Sequence, residues 1–386
     1  MTRSKRLSLM ILAGLMGLAH AGVSLAGTDK PVLDGLRGKA QAALESGDFQ
    51  AATAFLEQGL KIDPEWRDGL WAIGLALYQS DRYEAALPYI VRLTRIDSEK
   101  GAAWALMGMC EFQLGRFATA VEHIDRADRL GIPAEEGLQY AALLDRGLAR
   151  IQLSHYGTAA ELLGRLAPRK STEERDHLVT ALGYAAMGLS LDETLTPERL
   201  DQVHAVGEAY YQSAAGNRAA ARTVFQKLCE QYPRASLLHY AQGSLLLAWL
   251  EYDGAEREFR AELSIAADSF LARLGLAYVA LQSGAGDPAD GLVPAREAVG
   301  LRPDSYAAHL YLGQLLLRTS EPAAALGELE AARRLSPSTS SVHFELARAY
   351  RALNRDTEAA RELEEFKRLK TLEEPARAER MTPEKH

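Results

Sequence analysis

Apolar side chains recur along this chain at three- and four-residue intervals, in runs separated by short polar turns. That period predicts amphipathic helices in succession, hence an all-α chain. Between positions 67 and 134 the pattern repeats itself. Leu70, Ile73, Gly74, Leu77, Tyr78, Tyr83, Ala86 and Ile90 correspond, 34 residues on, to Trp104, Met107, Gly108, Glu111, Phe112, Phe117, Ala120 and Ile124. Gly74 and Ala86, like Gly108 and Ala120, are small enough to let two antiparallel helices approach closely. Each hairpin carries apolar residues on two sides and buries little alone, so the hairpins must stack.

A bulky residue, a small one four positions on, an aromatic beyond a charged turn and a second small residue together resemble the tetratricopeptide repeat, whose motif runs W-x2-L-G-x2-Y, then A, F and P over 34 residues. The resemblance implies a right-handed α-solenoid of helix-turn-helix repeats, with the first helix of every pair lining a concave face.

In chain order, a first repeat runs over 33–66 with its turn at Gly47-Asp48-Phe49 and its end at Asp63-Pro64; the clear repeats at 67–100 and 101–134 follow. Pro88 falls inside a helix and predicts a bend. The fourth repeat (Leu143, Gly147, Tyr156, Ala159) comes after an insertion of about five residues through Gly131-Ile132-Pro133. The phase then breaks: Gly183 follows Gly147 by 36 residues, but Gly207 follows Gly183 by only 24. Either the helix over 172–190 stands without a partner or the segment 197–215 pairs with it. The reading taken is a lone or degenerate helix within 171–201 and a bend between two blocks. From 202 to 373 the pattern resumes through Ala221 and Phe225, Gly243 and Phe259, Gly275 and Pro303, Gly313 and Ala325, and Ala347 and Leu363. The expectation is about nine repeats: four in 33–170, five in 202–373 with the last helix as a cap, one irregular helix between, and a polar tail at 374–386.

Composition is that of a folded helical protein, with 47% hydrophobic and 25% charged residues. The net charge of −8 offers no basic field to a phosphate backbone, so nucleic acid is excluded as the expected partner. At the N-terminus Arg3, Lys5 and Arg6 precede the apolar run Leu7 to Leu18 and the cleavage candidates Ala19-His20-Ala21 and Ser24-Leu25-Ala26. This reads as a signal peptide over 1–26, placing the mature chain in the bacterial periplasm or outside the cell; left uncleaved, the run would anchor it in the inner membrane, facing the periplasm. Cys110 and Cys229 fall in separate repeats and are expected to be two unbridged thiols.

Candidate chemistry is sparse. His239, His309 and His343 stand four residues before Gly243, Gly313 and Ala347, the position that Trp104 holds before Gly108, and so read as core occupants of one repeated slot. His123, His155, His177 and His204 have no partner at metal-ligand spacing. No glycine-rich phosphate loop, nucleophile elbow or zincin helix occurs, so no enzyme, cofactor or metal is expected. The resemblance implies that the concave face carries Trp71, Leu75 and Tyr78 in the second repeat, Met109 and Phe112 in the third, and Leu144, Leu148 and Ile151 in the fourth. Family members that clamp a chaperone's C-terminal carboxylate place Lys, Asn and Arg at these positions, and this chain does not. An apolar groove suits an amphipathic or extended hydrophobic segment. In the second half Tyr240, Leu247, Leu276, Val279, Leu310 and Leu317 continue the apolar track, and Gln314, Arg318, Arg348 and Arg351 make its end basic. The expected function is a protein-binding scaffold of the cell envelope; the alternative is an accessory of a polysaccharide secretion machine that contacts sugar through groove aromatics.

Overall fold

The computed structural model describes residues 29–133, 137–167, 172–284 and 286–373. The expected signal at 1–26 and the tail at 374–386 lie outside them. Among the described residues there are nineteen α-helices and no strand. None of these helices is long and apolar enough to cross a membrane.

The helices fall into two compact units that divide between 171 and 172. The first unit holds four pairs: α1 (Asp29–Glu45) with α2 (Phe49–Ile62), α3 (Arg67–Gln79) with α4 (Tyr83–Ile96), α5 (Gly101–Gln113) with α6 (Phe117–Leu130), and α7 (Leu138–Gln152) with α8 (Tyr156–Gly164). The second opens with α9 (Thr172–Met187). It continues with the pairs α10 (Pro197–Ala214) and α11 (Arg218–Gln231), α12 (Leu238–Ala248) and α13 (Tyr252–Ile265), α14 (Phe270–Gln282) and α15 (Leu292–Leu301), α16 (Tyr306–Arg318) and α17 (Pro322–Leu335), and α18 (Ser340–Ala352) and α19 (Asp356–Glu373). Side-chain caps satisfy free amide groups at several starts: Asp48 accepts from Ala51, Thr196 from Arg199 ahead of Pro197, Ser269 from Ala272 and Ser305 from Ala308.

Every pair turns on one residue in the left-handed region. Gly47, Asp81, Gly115, Ser154, Gly216, Leu250, Gly284, Ser320 and Asn354 all have φ between 56° and 87°. Nine such turns mark nine repeats. The residue after the turn bonds back into the helix just ended, as Arg82 N does to Leu77 O at 2.8 Å and Glu251 N to Leu246 O at 2.9 Å. Glycine enters this region without steric penalty, whereas an L side chain meets its own carbonyl there.

Within the pairs a small residue packs against a bulky one sixteen positions later. A Cβ at Gly74, Gly108, Gly147, Gly243 or Gly313 would stand 2.5–2.8 Å from the side chain of Ile90, Ile124, Leu163, Phe259 or Leu329 respectively. Ala209, fully buried, holds the same register before Phe225 and lies 34 residues before Gly243. The repeat after the break is therefore in phase, and the spacing from Gly183 to Gly207 measures something else.

Gly183 and Gly207 join α9 to α10. A Cβ on Gly183 would overlap the Val203 carbonyl, and one on Gly207 the Val179 carbonyl. Each pair of positions sums to the same total, so the helices run antiparallel with backbones in contact. The expected lone helix over 171–201 is thus corrected: α9 packs on α10, while α10 keeps α11 as its repeat partner. Arg175 reinforces the join through two bonds to Glu208 at 2.6 and 2.7 Å.

Two substitutions test this arrangement. Leu250 has φ 64° and is 70% exposed, so Leu250→Gly removes strain and buries nothing less; it should raise the unfolding free energy by about 1 kcal/mol in denaturant melts. Gly207→Ala should lower it by about 3 kcal/mol, because backbone, unlike a side-chain tip, cannot swing away. An unchanged midpoint for Gly207→Ala would mean that α9 does not pack here.

Candidate functional site

The first-helix face of the N-terminal unit is closed. Leu75, Met109, Leu144, Leu148 and Ile151 are buried, and Trp71 is only 7% exposed. Tyr78 and Phe112 are half-buried. The cause is small-residue packing: Ala102, Ala105, Ala141 and Ala142 let successive first helices approach until their side chains cover one another. Tyr78 of α3 lies among Gln113 and Cys110 of α5 and Asp145 of α7. Its hydroxyl is held well above the usual phenol range, by burial first and by the Asp145 charge second. Burial likewise pushes the Cys110 thiol up to about 12. Trp71 packs beneath the Lys100 ammonium, 5.2 Å from the ring centre. It lines a cavity of about 50 Å³ with Leu44, Trp66 and Asp68, room for water and not for a peptide. The expected apolar groove is corrected at Trp71, Leu75, Met109, Leu144, Leu148 and Ile151, which are interior of the stack, while Tyr78 and Phe112 stand half-buried at its edge.

The corresponding face of the second unit stays accessible toward its C-terminal end. Leu276, Val279 and Leu310 are buried, but Arg318, Arg348 and Arg351 are exposed and Gln314 half-buried. Gln314 Nε2 donates to Glu345 Oε1 at 3.2 Å, and Arg348 donates to Glu345 Oε2 at 2.6 Å, so the buried Glu345 fixes both. Arg318 and Arg351, at the ends of α16 and α18, have no hydrogen-bond or ion-pair partner among the described residues. Aromatic groups accompany them: Tyr278 and Tyr311 have ring centres 5.4 Å apart, and Phe344, 40% exposed, lies 5.3 Å from Phe366.

The histidines occupy their shared slot and find carboxylates. His239, His309 and His343 place Nδ1 at 2.6–2.7 Å from Glu258, Glu328 and Glu362, in each case nineteen residues later on the second helix of the same pair. His309 and His343 also turn Nε2 to the carbonyls of Pro303 and Pro337, at 3.0 and 2.9 Å. A carbonyl only accepts, so these Nε2 atoms carry hydrogen. Trp104, in the same slot, donates Nε1–H to Ser98 O at 2.9 Å. In α5, α16 and α18 the slot thus ties the first helix to the turn before it. The constant His-to-Glu spacing was present in the sequence and is the signal that would have exposed the pairs.

Another interior network was not foreseen. Buried Arg146 donates to Asp125 and Asp128 at 2.9 and 2.8 Å, and Arg150 to Asp125 at 2.9 Å, joining α7 to α6 across the inserted connection. Among the described residues no group of three or more His, Cys, Asp or Glu side chains could hold a metal ion.

The hydrogen bond to Glu258 raises the His239 pKa, with burial acting against it. The folded ring keeps its proton to higher pH than the unfolded ring, whose pKa is about 6.5. Its stabilisation is therefore complete below about pH 6.5 and is lost as pH rises through the folded value. Melts across the neutral range should show stability falling on the alkaline side, and Glu258→Gln should flatten that fall. An identical slope in the variant would contradict the pairing.

Models of the tetratricopeptide repeat match residues 38–65, 71–135, 284–339 and 314–370. No curated protein sequence matches the chain. Among solved structures it is similar to the Cut9–Hcn1 hetero-tetramer of the APC/C, at 13% identity and a TM-score of 0.38 over 88% of this chain and 87% of that one. It is also similar to yeast Tom70, at 12% and 0.30 over 91% and 97%, and to the P58(IPK) TPR domain, at 14% and 0.27 over 84% and 98%. All three likenesses are distant. With the repeat models on both units and nine turns in one register, the chain is a tetratricopeptide-repeat protein.

Proposed function

We propose that this chain is a non-enzymatic adaptor that holds a segment of a protein partner along the first helices of its second unit. Tetratricopeptide repeats are scaffolds for protein–protein interaction, which supports the adaptor role. The single observation that carries the finer reading is the contrast between the two faces. Where Trp71 and Met109 of the N-terminal unit are buried, α16 and α18 present the side chains of Arg318 and Arg351 to solvent, with Phe344 of α18 40% exposed. An amphipathic segment with an acidic end has the matching chemistry: aromatic side chains supply the anchors, and the guanidiniums orient the charge. The basic residues Arg3, Lys5 and Arg6 ahead of the apolar run Leu7 to Leu18 support export, so the partner belongs to the periplasm or cell envelope, with an uncleaved signal as the membrane attachment.

A crosslinking capture from the envelope of the native organism tests this, with variants compared at matched folded content. Arg318→Glu with Arg351→Glu should reduce the partner's recovery about tenfold while the melt is unchanged. Trp71→Ala should instead lower stability by about 3 kcal/mol, and Phe112→Ala, at a half-buried site, by less. Equal recovery by wild type and the arginine variant would move the binding surface elsewhere. Recovery of oligosaccharide with no protein would favour an accessory role in polysaccharide secretion.

A further inference from the structure

A separate charged cleft lies where α17, α18 and α19 meet. Arg333 and Arg334 at the end of α17, His343 from α18, and Arg361, Glu362 and Glu365 from α19 surround about 440 Å³, a volume in the range of ligand sites. Its acidic groups are already committed. Glu362 accepts from Arg333 at 2.7 Å and faces His343 Nδ1 at 2.6 Å, and Glu365 accepts two bonds from Arg368 at 2.6 and 2.9 Å. Arg334 and Arg361 are exposed and have no hydrogen-bond or ion-pair partner among the described residues. For Arg334 the carbonyl end of α17 is a sufficient explanation, since a cation is favoured in the last turn of a helix. Arg361 stands in the second turn of α19, where the helix dipole gives a cation nothing. Glu358, one turn before Arg361, feels its charge but accepts its hydrogen bond from Arg355, so both guanidiniums keep their donors free at a cleft of a chain whose net charge is −8.

We propose that this cleft docks an acidic segment of a protein partner, whose carboxylates take fork-shaped hydrogen bonds from Arg334 and Arg361. Planar guanidiniums match planar carboxylates, and charge-assisted bonds of this kind are about twice as strong as neutral ones. The proposal rests on the reading of the chain as a protein-binding scaffold. Its two docking groups, Arg334 and Arg361, stand on the second helices α17 and α19, so it can fail or stand independently of the surface at Arg318 and Arg351.

The test is fluorescence anisotropy of labelled hexaglutamate with the full chain. Arg334→Glu with Arg361→Glu changes two exposed side chains and should leave the melt in place. Saturable binding by wild type is expected, weakened about tenfold in this variant and by raised salt, and retained by Arg318→Glu with Arg351→Glu. Three results would overturn the proposal: no saturation by wild type, equal affinity in the Arg334 and Arg361 variant, or displacement of the peptide by inorganic phosphate or oligogalacturonate at matched charge concentration.

Discussion

A small residue packed against the side chain sixteen positions later sets how closely the helices of each pair approach, and the rest of the architecture follows from that separation. Gly74, Gly108, Gly147, Gly243 and Gly313 leave no room for a Cβ. Because the two helices come so near, the bulky partner lies across the glycine, and Phe259 also reaches Gly275 of the next hairpin. In a stack where each repeat touches only its neighbours, that reach is how a hairpin with two apolar sides buries both. The same logic, with backbone on both sides of the contact, fastens α9 to α10 through Gly183 and Gly207.

Close approach also decides where a partner can bind. In the N-terminal unit, alanines on successive first helices bring them together until Met109, Leu148 and Ile151 are sealed and Tyr78 shares its environment with Gln113 and Asp145. Toward the end of the second unit the corresponding positions pass to Gln314, Arg318, Arg348 and Arg351. Long charged side chains cannot be sealed in this way, and Glu345 neutralises only part of their charge. Accessibility is thus a consequence of residue size and charge at one repeat position. The histidine slot performs a different task, holding α16 and α18 to the turns that precede them through a ring nitrogen that carries hydrogen.

The repeat architecture was legible because its determinants are local: Gly74 with Ala86 and Gly108 with Ala120 lie within one hairpin and recur at fixed spacing. The break near the middle is hidden because Gly207 mimics the small residue of the slot that Ala209 holds. Either residue is small, and only the contact with Phe225 distinguishes them. The candidate groove was misplaced for a related reason. A family pattern names the face on which Trp71 and Met109 stand, but whether that face is open depends on how far apart neighbouring hairpins lie, and this is set by Ala105 and Ala142 in combination. The pairs of His309 with Glu328 and His343 with Glu362 could have been found from their constant separation. Arg146 with Asp125 and Asp128 could not, since the inserted connection hides the register.

The contrast between a sealed first-helix face in one unit and an open one in the other can be read directly by hydroxyl-radical footprinting of the full chain with mass spectrometry. Methionine and tryptophan react fastest when exposed, so Met109 and Trp71 should be strongly protected while Phe344 and Tyr306 are oxidised at rates set by solvent. Oxidation of Met109 and Trp71 at the rate of an exposed side chain, in protein that melts as a single folded population, would show that the N-terminal face is open and that the binding surface lies there.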